Sequence, residues 1–573
     1  MMQRVKEYFQ KNERIIFLFA LILVVVTGVF LRTYHHHDWL RFQLDQARDA
    51  TIISNAVRNG IDQLPLLGPQ ARGSGLKLGP IFYYFQYVAA KLFGDRPNVM
   101  AWPDLVFSIL SLPLFYIFVR KYFSKWLSLG LLAVFSTSLF VIFYARFAWN
   151  PNSMAFFLLL MSLSLLNAAE QDNQNAPRWL SAAFFSSAVA TQLHFVAFFL
   201  APVVFTAFLV LTRPNIRLRH YLVGVLIVAA VYSPVIRSEF QSSGQNSAAF
   251  EEAFVQKTEE NNADHTLAEK TFRAVQETSR NTLAIITGVQ DTDIIATKTK
   301  GRGLKVTCDA NCKTYLPGLI FSLIAFMAGF AILLYQGGIR YFQGTKNAFL
   351  AMNLIWLVAF MALLVPIAYQ ISPRFFLAGE IPMIIMLGIA IQAFSNRFPS
   401  EKATWITIVI FLAICGLNVT AVSRYFTLEE GVRANKDAPS AYGRDIIMPG
   451  GETVVLRQLE DIAKLIDEDA KRNGIKTVFI AADNYFARSI FYILKYQLGT
   501  PADCYFKMSD FPPTFGKTTY YVVRSDLDHL NAEILRNNEV SSRTEQGTLT
   551  VYKLKPNVMV PDNIPASHYC NPF

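Results

Sequence analysis

No glycine-rich phosphate loop of the Walker or Rossmann kind is present in the 573 residues, so a nucleotide substrate is not expected. A clear internal repeat is missing too, as is a paired set of Gly/Pro-broken spans, which weighs against a transporter built from repeats. Charged residues are scarce at 17%, and the net charge of +11 does not gather into a basic stripe interleaved with aromatics. That argues against nucleic acid as a partner. Lys and Arg cluster instead beside apolar runs, as cytoplasmic anchoring and anionic head groups require. Only five cysteines occur. Cys415 falls in an apolar run and reads as a packing residue. Cys308, Cys312, Cys504 and Cys570 fall outside the runs, where two disulfides fit an oxidising compartment. A metal site at Cys308 and Cys312 would need two further His or Cys partners nearby, and they are missing.

Apolar surface is what the chain has in abundance. Apolar residues make up 53%, with 48 Phe and 24 Tyr, and the mean hydropathy is +0.30. The run from Ile15 to Leu31 follows Arg4, Lys6, Lys11 and Arg14, the layout of a secretory signal. Arg32-Thr33-Tyr34 stands where a small-x-small cleavage site would be, so a retained helix with a cytoplasmic N-terminus is expected. A span needs about 20 apolar residues. Candidate cores lie at 15–31, 104–120, 127–145, 153–169, 179–193, 195–211, 221–236, 315–335, 348–368, 375–394 and 404–421. The stretch 179–211 would measure about 50 Å as one helix, so a hairpin turning near His194 is expected. Starting inside, the short cytoplasmic loops collect Arg120, Lys121, Lys125, Arg178, Arg213, Arg217, Arg219, Arg340, Lys346, Arg397 and Lys402. The short outer loops hold Arg146 and Arg374. This asymmetry supports about eleven spans and an external C-terminus.

The expected architecture is a polytopic α-helical membrane protein with a C-terminal exoplasmic α/β domain. The membrane part covers 1–424, with long outer loops at 32–103 and 237–314, and the soluble part covers 425–573. Within the first loop, the Tyr-rich segment 79–93 is expected to lie in the interface as a helix. The polar second loop suggests a helix moving as a lid. The soluble part reads as helix 453–473, strand 476–481, helix 485–498, strand 518–524, helix 527–537 and strand 547–554.

Chemistry-bearing residues then fall at one membrane level. Asp45, Gln46, Arg48 and Asp49 sit on an interfacial helix running to Asn59, and Asp45 and Asp49, four apart, can share a face. Downstream come Lys77-Leu78-Gly79-Pro80-Ile81-Phe82-Tyr83-Tyr84, then Arg146-Phe147-Ala148-Trp149-Asn150-Pro151-Asn152, then Ser372-Pro373-Arg374-Phe375-Phe376. A solvated acidic face paired with Arg48 and Arg41 is the plain alternative for Asp45 and Asp49. Arg374 could instead anchor a span end or pair with Glu380, an acid six residues into a span. His194 reads as a packed residue at a hairpin tip or as an acceptor contact, His35, His36 and His37 as interface residues, and Asp104 as a helix cap.

The order of these motifs resembles the GT-C glycosyltransferases that use polyprenyl-phosphate sugars, in the branch of protein O-mannosyltransferases and aminoarabinose transferases. The likeness covers about the N-terminal 400 residues. It implies that Asp45 acts as general base or positions the acceptor. The Asp-Glu often found there is Asp45-Gln46 here, and Asn150 and Asn152 stand where some members carry an acid. Independently, a placed carboxylate can deprotonate an acceptor hydroxyl, and fixed cations can stabilise the departing phosphate. Lys77, Arg146 and Arg374 are the candidate cations. Tyr83, Tyr84, Asn152 and His194 complete the substrate-binding set, with Asp49 and Glu380 as secondary candidates. No metal ligand set is assigned, and aid from a divalent metal ion stays open.

The leading reading is therefore an integral-membrane glycosyltransferase. It would move a sugar from a polyprenyl phosphate to a hydroxyl of a protein, lipid or glycan acceptor, with inversion. The setting expected is a bacterial inner membrane, with the site facing the periplasm. A transporter or lipid flippase is the alternative, and an inactive assembly subunit a third. The sugar and the acceptor are not legible.

Overall fold

The computed structural model describes residues 2–70, 75–170, 173–252, 265–292, 294–300, 303–307, 310–434, 447, 454–512, 515–525 and 532–557. A helix or helix pair stands at each expected span. They are Met2–Thr33, Trp102–Val119, Lys125–Thr137 with Leu139–Tyr144, Met154–Ala169, Ala176–Leu193, Phe195–Thr212, Leu218–Val231 with Ser233–Gln241, Ala310–Leu333, Ala348–Leu364, Glu380–Ser395 and Ser400–Ala434. Among the described residues, five stretches are long and apolar enough to cross a membrane unaided: Asn12–Thr33, Trp102–Val119, Phe195–Thr212, Thr314–Phe342 and Lys402–Arg433. The pair Leu218–Val231 and Ser233–Gln241 bends by 57°. Four other apolar helices are shorter, and Met154–Ala169 is buried along most of its length. Protein rather than lipid surrounds it, so it need not match the bilayer.

Several polar groups inside this bundle are satisfied locally, as a medium without water favours. Arg32 is fully buried; it donates to the carbonyls of Gly28 (2.8 Å) and Ser136 (3.0 Å) and to Ser108 Oγ (2.9 Å). Ser138, at the break between Lys125–Thr137 and Leu139–Tyr144, donates to the carbonyl of Ile285 at 2.6 Å.

Ile285 belongs to the helix Leu267–Thr287 of the second long loop, and this helix differs from the expected lid. It is packed against the bundle and much of it is buried. Its hydroxyls turn back on their own helix: Thr278 Oγ1 donates to the carbonyl of Ala274 and Thr282 Oγ1 to that of Thr278, both at 2.7 Å. Such i−4 bonds let a polar sequence enter a packed interior, which is why polarity misled. Asn418 Nδ2 fixes its end through the carbonyl of Ile286 at 2.7 Å. After it come the antiparallel strands β1 (Ala296–Lys300) and β2 (Gly303–Thr307).

Among the described residues, the first long loop contains two helices of more than four residues, Leu44–Asn59 and Ile81–Phe93. The latter has 13 residues, or about 20 Å, too short to span. Leu44–Asn59 starts where Gln46 Oε1 accepts the backbone N–H of Gln43 at 3.2 Å. A Gln at this third position can thus serve the cap that a Glu usually serves.

The C-terminal domain holds a five-stranded sheet in the order β4-β3-β5-β7-β6. Its strands are β3 (Val478–Ala482), β4 (Ala502–Lys507), β5 (Thr519–Arg524), β6 (Asn538–Gln546) and β7 (Leu549–Pro556). β3 runs parallel to both its neighbours, while β7 is antiparallel to β5 and β6. The sequence reading located β3, β5 and β7, but missed β4 and β6. The domain docks on the first long loop. Leu456 N–H donates to the carbonyl of Leu40 at 2.8 Å, and Tyr492 Oη bonds Ser54 Oγ at 2.8 Å and the carbonyl of Asp95 at 2.9 Å. Cys504 is disulfide-bonded and Cys415 is a free thiol. The side chains of Cys308, Cys312 and Cys570 lie outside the described residues.

Candidate active site

Where the loops that carry Asp45, Trp149 and Arg374 meet the C-terminal domain, a cavity of about 850 Å³ opens. Asp45, His194 and Arg374 all line it, though they are far apart in sequence. Asp45 sits in the first turn of Leu44–Asn59, its side chain 43% exposed, and its carboxylate accepts from Arg48 Nη1 at 3.0 Å. Acids in a first helical turn also gain from the orphan backbone N–H groups there. Arg48, itself on the cavity wall, bridges backwards to Asp49 at 2.8 Å. Asp49 is buried behind Arg48 rather than beside Asp45, and Tyr83 Oη donates to it at 3.1 Å. Burial pushes the Asp49 carboxyl up to about 6, with Arg48 opposing the rise and Asp45 adding to it. Tyr83 is raised for the same first reason, burial, and Tyr84, which is half-buried, likewise.

Arg374 lies in the short turn Pro373–Ala378, with its guanidinium 4.9 Å from the Trp149 ring centroid and 5.6 Å from that of Phe375. The hairpin at His194 exists. Its Nδ1 accepts the N–H of Val196 at 3.2 Å and so caps Phe195–Thr212, which leaves the proton of the neutral ring on Nε2. Trp149 and Asn150 also line the cavity, Asn150 Nδ2 donating to the carbonyl of Leu193 at 2.6 Å.

Several expected site residues are placed elsewhere. Arg146 is buried outside the cavity, where it donates to the carbonyls of Leu31 (3.2 Å), Arg32 (3.1 Å) and Tyr34 (2.7 Å). It therefore serves the orphan carbonyls that end the first long helix, a cation's natural place. Asn152 is buried and holds its own turn through the carbonyl of Phe147 at 2.7 Å. The backbone of Lys77 pairs with the Asn246 side chain, and Lys77, Tyr83 and Tyr84 are not among the lining residues. Glu380 is buried at the start of its helix, with Arg32 as its electrostatic counterpart. His37 contacts Glu460 at 3.3 Å and Asp38 at 3.1 Å, at the joint with the C-terminal domain. Among the described residues no group of three His, Cys, Asp or Glu side chains is gathered to hold a cation.

Four contributions escaped the sequence reading. Arg41 lines the cavity, with Nε on Gln43 Oε1 at 2.9 Å and its guanidinium 5.8 Å from the Phe147 ring centroid. Asp104, expected as a plain cap, accepts the Trp149 N–H at 3.0 Å and the Ser153 hydroxyl, and so holds the loop that carries Trp149 and Asn150. The last two are Asn484 and Tyr485, which reach the cavity from the C-terminal domain. No local signal marks those two; docking alone brings them there.

Residues 77–237 match the family model described as dolichyl-phosphate-mannose-protein mannosyltransferase. No curated protein matches the chain in sequence. Among solved structures it is similar to apo ArnT from Cupriavidus metallidurans at 13% identity and a TM-score of 0.51, covering 95% of this chain and 98% of that one. The same ArnT bound to undecaprenyl phosphate gives 13% and 0.50, covering 96% and 99%. The Archaeoglobus fulgidus oligosaccharyltransferase, in complex with Zn and sulfate, gives 12% and 0.50, covering 88% and 67%. The fold is thus GT-C, and the protein is a multi-pass membrane glycosyltransferase.

Proposed function

We propose that the protein transfers a sugar from a polyprenyl phosphate to an acceptor hydroxyl at the outer face of a bacterial inner membrane, in the cavity lined by Asp45 and Arg374. The observation that carries this reading is the convergence of one half-exposed carboxylate, three arginines and a histidine on a single cavity. The match to a dolichyl-phosphate-mannose family and the undecaprenyl phosphate bound by ArnT support the class of donor. Asp45 takes the acceptor proton as the acceptor oxygen bonds to the anomeric carbon. The bond from that carbon to the phosphate oxygen breaks, and the polyprenyl phosphate leaves with the electron pair. Arg374 and Arg41 stabilise the charge growing on the phosphate. His194 contributes its Nε2–H from the membrane side. A single displacement inverts the sugar. Retention would need a second carboxylate as nucleophile, and the closest, Asp49, is buried behind Arg48.

In a reconstituted assay Asp45→Asn should lower kcat by about 10²–10⁴-fold with donor binding kept. Arg374→Ala should weaken donor binding by about 10–100-fold. Wild-type activity in Asp45→Asn would defeat the assignment of the base, and a retained anomer in the product would defeat the single displacement.

A further inference from the structure

We propose that the acceptor is a neutral saccharide, bound at a subsite that the C-terminal domain supplies through Asn484 and Tyr485; this rests on the glycosyl-transfer reading above. Both residues line the cavity that holds Asp45, and both are exposed, Tyr485 at 44%. Their turn leaves the carboxyl end of β3, which has β4 on one side and β5 on the other, both parallel to it. Ligands of open α/β sheets bind outside such strand ends. The turn is fixed from within. Asp483 Oδ1 accepts the Tyr485 N–H at 2.8 Å, the Asp483 carbonyl accepts the N–H of Ala487 at 2.9 Å, and Phe486 is fully buried. Rigidity of this kind suits a binding surface rather than a passing loop.

The position fits an acceptor rather than the donor. Helix Ala487–Tyr492, which follows the turn, packs on Leu44–Asn59, which carries Asp45. His194, Phe195 and Val196 line the part of the cavity built by the membrane helices, where a lipid phosphate would enter. The chemistry favours sugar. A carboxamide offers a donor and an acceptor side by side, which matches neighbouring hydroxyls. An exposed phenol ring covers the C–H face of a pyranose while its hydroxyl bonds outward. Gln43, Gln46 and Gln70 add further amides to the same cavity. An anionic acceptor would require a cation on this turn, and Asp483 is what stands there.

The test uses the full-length protein in lipid nanodiscs and three probes: undecaprenyl phosphate, neutral trisaccharides (chitotriose and maltotriose), and a Ser/Thr-rich peptide. Saturation-transfer NMR should label the C–H protons of at least one trisaccharide. Tyr485→Ala should weaken that binding about tenfold, whereas Tyr485→Trp should keep it, with undecaprenyl phosphate binding unchanged in both. No trisaccharide binding, binding indifferent to Tyr485→Ala, or peptide binding that needs Tyr485 would each overturn the subsite. Failure of the wild type to bind undecaprenyl phosphate would count against the donor reading instead, on a separate arm.

Discussion

Arg48 stands between two carboxylates of different exposure, Asp45 on the cavity and Asp49 beneath it. Arg48 thereby fixes the direction of Asp45 while Asp49 and Tyr83 fix Arg48. Asp49 is a positioning residue in this scheme, and its raised value makes the arrangement sensitive to pH. Below about 6 Asp49 is protonated, so Arg48 loses a charged partner and Asp45 is held less firmly. An acidic limb in kcat near pH 6 is expected, and Asp49→Asn should flatten it at a lowered rate. A limb unchanged in that variant would assign it to another group. For the fold the sign is opposite: a buried carboxyl with a raised value favours folding most when neutral. That contribution is full below about 4 and lost as pH rises through about 6. The arginines also show the limit of sequence. Arg41, Arg146 and Arg374 are equally basic neighbours of apolar runs, and only packing decides which meets carbonyls and which meets the cavity. Arg146→Met should cost about 3 kcal/mol through orphaned carbonyls, read as a lower thermal midpoint in detergent. Donor affinity in the folded fraction should not move.

Elements were legible wherever a long apolar run or an alternating strand gave them a period. The hairpin at His194 followed from length alone, because one helix over 179–211 would overshoot the bilayer. Strands β3, β5 and β7 carried apolar runs such as VFIAA and TYYVV. β6 did not: NEVSSRTEQ is an edge strand with most of its side chains toward solvent, so its composition carries no strand signal. Within the loop 237–314, the helix Leu267–Thr287 is packed where a lid was expected for a related reason, since its hydroxyls are paid for inside the helix. The loop 149–153 shows how one element positions another. Asp104, at the start of Trp102–Val119, grips this loop, and Trp149 in turn lies against Arg374. Asp104→Leu should therefore raise the donor KM about tenfold while kcat stays within about twofold. A fall in kcat alone would mean that Asp104 acts on the chemistry by another route.

At the scale of the whole molecule, the site depends on a contact between two parts that fold by different rules. The membrane part supplies Asp45 and Arg374, and the sheet domain supplies Asn484 and Tyr485, so the cavity is complete only when the domain is docked. Sequence could mark the first set by its level in the membrane but not the second, since nothing local records a docked orientation. The dock is polar and buried around Tyr492. Its hydroxyl bonds Ser54 and the carbonyl of Asp95, Gln497 Nε2 reaches the same carbonyl at 2.9 Å, and Tyr496 Oη donates to Asn55 at 2.9 Å. Tyr492→Phe removes one hydroxyl, which leaves Ser54 Oγ without this bond and the Asp95 carbonyl with Gln497 alone, at about 1–3 kcal/mol. Undocking is the cheapest response, because it returns both groups to water without opening either fold. Hydrogen exchange should accordingly quicken in 44–59 and 484–498 of Tyr492→Phe, with Phe195–Thr212 and β5 unchanged. Faster exchange in β5 as well would mean that the hydroxyl supports the domain's own core, and the two parts would then meet for reasons other than this contact.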